Sequence, residues 1–135
     1  MTCQTLPSRL FVDTNFLISC FFAVDRFHRD ARSYLYALTR ASRSGQTKAF
    51  TSPRVVEETL WMACRTLYEM DHGSGAFGVL PLDERFMVQV EHQDNLHEMS
   101  ERLVSDGAPY TIVPMLPEDI AVAVDLATEH GIPLT

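Results

Sequence analysis

"RLFVDTNFLIS", residues 9–19, decides how the rest of the chain is read. Two apolar runs, Leu10 to Val12 and Phe16 to Ile18, flank a single charge, Asp13. The first run is rich in β formers and reads as a buried strand over 9–12. Thr14-Asn15 is a break where either residue can cap a helix over Phe16 to Phe22. An unpaired carboxylate inside apolar surroundings costs several kcal/mol or shifts its pKa until it is neutral. Asp13 therefore needs a physical reason to be there.

Working outward, the 3.6-residue period predicts a second helix over about 28–44, with Phe27, Ala31, Tyr34, Leu35, Leu38 and Ala41 on one face. Arg26, Arg29, Arg32, Arg40 and Arg43 fall within a stripe of roughly 120° on the other. That stripe reads as a solvated face or as a ridge for phosphate or an acidic partner. "KAFTS" (48–52) reads as a second strand. Ser52 as cap and Pro53 at the first helical position open a helix to about Met70. "HGSGAFGVLP" (72–81) is a loop. Residues 82–105 are mostly helical, "YTIVPM" (110–115) is a third strand, and Pro117 opens a last helix to His130, ended by Gly131. Strands separated by helices imply an α/β fold with a parallel sheet between helices. Ligands of such sheets bind beyond the carboxyl ends of the strands. Asp13 follows the first strand directly, so it projects into that crevice.

The bounds agree with one globular domain. The chain has 135 residues, 46% hydrophobic and 21% charged, which is neither a disordered nor a membrane-spanning composition. The N-terminus lacks signal-peptide features. Cys3, Cys20 and Cys64 are odd in number and unpaired in spacing, the pattern of reduced thiols in a cytoplasmic protein. The net charge of −7 is unevenly spread. Residues 1–68 hold nine Lys/Arg against five Asp/Glu (+4), and 69–135 hold two against thirteen (−11). The basic half is compatible with a nucleic acid partner.

Asp13, Thr14 and Asn15 put a carboxylate and neutral oxygens at a strand end, a set suited to a hard cation such as Mg²⁺. Asp13 as a helix N-cap explains the same residue. Glu57-Glu58 stands a helical turn after the second strand. These acids read either as charge near a helix N-terminus or as a second carboxylate crossing the crevice to share a metal with Asp13. The helical wheel does not choose between them, because both lie off the apolar face of Val56, Leu60, Ala63 and Leu67. "GSGAFG" (73–78) fits G-x-G-x-x-G but has a helix before it instead of a strand, so it reads as a turn. His92 and His97 are five apart, whereas metal pairs on one helix face want three or four. Cys64 reads as a small core residue, and no G-x-S-x-G nucleophile motif is present.

Taken in order, these pieces resemble the PIN-domain family. "LFVDTNFLIS" is similar to its opening strand and helix, "FTSPRVVEETLW" to the second strand and the helix carrying its second acid, and "ATEHGIPLT" to the segment leading into its third. The resemblance spans nearly the whole chain. It implies a small three-layer α/β/α ribonuclease fold with a parallel sheet, often a VapC-type toxin paired with an antitoxin. It also implies an acid cluster holding Mg²⁺ or Mn²⁺ that activates water against an RNA phosphodiester. Carried over by residue, Asp13 matches the first acid, Asn15 the supporting polar residue, and Glu58, six residues after Ser52, the second acid better than Glu57. In the family "GIPLT" is followed at once by an Asp-Ala pair and a helix, then another strand. The sequence ends at Thr135. The expectation is thus a PIN-like domain, 1–135, incomplete at its C-terminal end, without the third acid and with weak or absent cleavage.

Two other readings stand beside this one. The first is a catalytically inactive PIN-like module that binds RNA or an antitoxin, or that forms a homodimer through an uncovered core face. The second is a phosphatase of the haloacid-dehalogenase class. That chemistry wants a second Asp two residues after the nucleophile, where this chain has Asn15.

Overall fold

The computed structural model of the chain describes residues 5–114 and 116–131. The elements run β1 (Arg9–Phe11), α1 (Thr14–Phe21), α2 (His28–Arg43), β2 (Lys48–Thr51), α3 (Pro53–His72), α4 (Leu82–Glu91), α5 (Gln93–Leu103), β3 (Thr111–Ile112) and α6 (Pro117–Glu129). The three strands are parallel in the order β1-β2-β3. The expected α/β class with a parallel sheet is therefore observed.

Strand order explains where the helices lie. Both crossovers step across the sheet in the same direction, and right-handed crossovers then place their helices on the same face. The main core sits on that face. Val12, Leu17, Leu38, Ala49, Val56 and Leu103 form one buried cluster drawn from β1–β2 and from α1, α2, α3 and α5. Side chains alternate along a strand, so Phe11, Phe50 and Thr111, which are register partners, point to the other face. Phe11 is 62% exposed and Val113, two residues past Thr111, is 45% exposed. The expected buried first strand is thus an edge strand buried on one face only. Its place at the edge follows from strand order, which periodicity does not carry.

Local signals set most boundaries. Ser52 accepts a hydrogen bond from the Val55 N–H at 3.2 Å, with Pro53 at the start of α3. Gly131 has φ +66°, the left-handed conformation that ends a helix most cheaply with glycine. Ala31, Leu38 and Ala41 are the buried residues of α2, while the arginines on its other side are exposed. Phe27 departs from the expected face and is 52% exposed.

The structure sharpens several of these readings. The cap of α1 is Asp13, as one of the two readings of that residue had it, and not Thr14 or Asn15. The helical stretch from Leu82 breaks at His92 into α4 and α5. The apolar residues Phe86 and Val90 of α4 are not buried, being exposed at 59% and 45%. The 73–78 loop is no loose turn, since Phe77 is buried beside Cys64 and Val88 and its backbone N–H donates to Glu69 Oε2 at 3.2 Å.

Cys64 is a buried core residue, as expected, and burial raises its thiol pKa. Burial also pushes the Cys20 thiol up to about 11, with Arg32 opposing the shift in part. Neither thiol is set up as a nucleophile at neutral pH. Cys3 and "IPLT" lie outside the described residues. Among the described residues no helix is long and apolar enough to cross a membrane.

Candidate functional site: a two-carboxylate rim

The site is built where β1 and β2 end. Thr51 Oγ1 donates to the Val12 carbonyl at 2.9 Å, a buried bond that pins the two strand ends together. Helices α1 and α3 both begin at this rim, one after each strand. Their N-terminal N–H groups and dipole ends favour negative charge nearby.

Asp13 stands at the start of α1 and is exposed. Its Oδ1 accepts a hydrogen bond from the Phe16 N–H at 2.9 Å. The puzzle of a charge amid apolar residues is thus answered by position, because the carboxylate is solvated at the rim and never buried. Val12 before it and Thr14 after it are the buried neighbours.

Thr14, the residue after Asp13, reaches the second acid. Its Oγ1 donates to Glu58 Oε2 at 3.3 Å, across 44 residues of sequence. Glu58 is thereby brought to the residue adjoining Asp13. Glu57 makes no such bond; it lines a groove of ≈ 890 Å³ with Leu60, Trp61, Phe77, Leu82 and Phe86 and shares a smaller cavity with Glu58. The two acids differ by ~100° around the helix, and Glu58 is the one that Thr14 of α1 reaches.

Asn15 is exposed and faces a shallow cavity of ≈ 390 Å³ between α1 and α2, lined also by Phe16, Phe27, Ala31 and Tyr34. It is not brought into hydrogen-bond contact with Asp13 or Glu58. His97 is exposed and pairs with Glu101 at 3.1 Å, a solvated helix contact. Asp119 accepts from the Leu116 N–H at 2.9 Å at the start of α6, a capping role.

The donor set suits a hydrated divalent ion. Mg²⁺ commonly takes one or two carboxylates and keeps several waters. One oxygen of Asp13 is committed to the helix cap, which leaves the other for a cation. Among the described residues no group of three or more His, Cys, Asp or Glu is gathered.

Sequence reading passed over two residues of this rim. Arg54 and Trp61 share a face of α3 with Glu58, at i−4 and i+3, a spacing that could have been read directly. Comparison with family models, with curated proteins and with solved structures gives no match.

Proposed function

We propose that the chain is a PIN-like, metal-dependent endoribonuclease domain, with its sheet and α1–α5 as two layers of a three-layer α/β/α fold, acting as the toxin of a toxin–antitoxin pair in the cytoplasm. The observation that carries this reading is the Thr14–Glu58 hydrogen bond of 3.3 Å, which joins a second acid to the strand end where Asp13 stands. Asp13 and Glu58 would hold Mg²⁺ or Mn²⁺. When bound, such an ion lowers the pKa of its water and neutralises charge building on a phosphate. The chain's own groups do the rest. Asp13 and Glu58 supply the negative charge that selects a cation, and Thr14 fixes the Glu58 carboxylate. The amino ends of α1 and α3 and the basic residues of 1–68 favour a phosphate backbone. RNA is the substrate, and an antitoxin protein and a second copy of the chain are its protein partners.

A second reading keeps the fold and drops the catalysis. It is favoured by the acid count, since among the described residues the rim has two carboxylates and the family site has more. On that reading the domain binds RNA or a partner without cutting. Incubating a labelled single-stranded RNA with the chain in Mn²⁺ separates the two. The ribonuclease reading expects slow, EDTA-sensitive cleavage that Glu58→Gln abolishes and Glu57→Gln leaves unchanged. Absent cleavage with RNA binding retained selects the binding module.

A further inference from the structure

Glu58 lies on a ridge of α3 whose other members have no role in holding a cation. Arg54, Glu57, Glu58 and Trp61 occupy one face of the helix and together line a shallow cavity of ≈ 220 Å³. Trp61 is the chain's single tryptophan, yet it is 51% exposed. Its ring is braced on one side by Phe77, with centroids 6.1 Å apart and planes at 81°. Phe77 is itself 3% exposed and tied through its N–H to Glu69. The indole is thus held in place with part of its surface left open. Arg54 is exposed and forms no ion pair with the described residues.

We infer that Trp61 is a nucleobase-stacking platform and Arg54 a phosphate contact, so that a single-stranded polynucleotide lies along this ridge of α3 across Glu58. This rests on the ribonuclease reading and adds to it how the substrate is held and which form it takes. Every base offers a π-face, so an aromatic platform binds single strands with little sequence preference. A duplex hides those faces, which makes the ridge selective for unpaired RNA. Arginine suits the neighbouring phosphate because its planar fork donates two parallel hydrogen bonds. The ridge spans ~10 Å of helix, with the acid between the aromatic and the cation. The apolar groove next to it, lined by Leu60, Leu82 and Phe86, offers a peptide as the competing occupant. Arg54, at the opposite end of the ridge from Trp61, supplies the cation that a phosphate needs and an apolar peptide does not, which favours the nucleotide.

Trp61 reports on its own contacts, because no other indole emits. A fluorescein-labelled adenosine pentamer RNA is titrated in Ca²⁺ buffer, following anisotropy for binding and indole emission for stacking. An abasic pentamer of equal charge and an apolar helical peptide are run in parallel. The expected result is quenching in step with anisotropy, with weaker binding and no quenching by the abasic strand. Trp61→Ala should lose about five-fold or more in affinity, and Trp61→Phe should keep most of it. RNA binding with unchanged emission and an unaffected Trp61→Ala overturns the inference while leaving the ribonuclease reading intact. RNA that fails to bind the wild type removes that reading and this inference with it. Quenching by the peptide and not by RNA assigns the ridge to a protein partner and overturns the inference.

Discussion

Asp13 caps a helix and is proposed to share a cation with Glu58, and the two roles can be separated by substitution. Asn is as good an N-cap as Asp, whereas Ala removes the acceptor. Asp13→Ala should therefore cost about 1 kcal/mol of stability, and Asp13→Asn close to none. Urea midpoints of the two variants check this, and equal loss in both would show that the Phe16 N–H bond contributes little. The sequence already contained both alternatives for Asp13, and both survive because the carboxylate has two oxygens and the cap uses one. The choice between Glu57 and Glu58 was not legible from the wheel, because both lie off the apolar face. What favours Glu58 in the proposal is the packing of α1 on α3, which sets Thr14 against it. Nothing local to "VVEETLW" records that contact.

Elements with strong local signals were readable, and those shaped by tertiary packing were not. Ser52-Pro53 and Gly131 mark helix ends through capping chemistry that acts within a few residues. The break at His92 carries neither glycine nor proline, so no local signal marks it. The glycines of "GSGAFG" suggest a loose turn, but Phe77 fills a pocket beside Cys64 and Val88. Truncating it should cost about 3–5 kcal/mol, as for other buried aromatics. A chemical-denaturation curve for Phe77→Ala checks this. A loss under about 1 kcal/mol would mean that the loop is not anchored by this side chain.

At the scale of the whole molecule, the parallel sheet was predicted from the alternation of strands and helices, while its one-sided burial was not. Both crossovers run the same way, so Phe11, Phe50 and Val113 lie on a face that α1 to α5 do not cover. Helix α6 leaves Val122, Val124 and Leu126 exposed as well. Such surface favours burial against another chain. If a second copy covers the sheet face, sedimentation equilibrium should give concentration-dependent association that Phe11→Ser weakens. A monomer at all concentrations, unchanged by Phe11→Ser, would remove the homodimer from the account.

The rim exists only because the fold brings two strand ends and two helix starts together, with one acid from each. Its central claim is that Asp13 and Glu58 act as one cation site. Calorimetric titration of Mn²⁺ into the wild type, Asp13→Asn, Glu58→Gln and Glu57→Gln tests this most directly. The account predicts affinity at least about ten-fold weaker for Asp13→Asn and Glu58→Gln, with Glu57→Gln like the wild type. Equal affinity in the wild type and Asp13→Asn would contradict it.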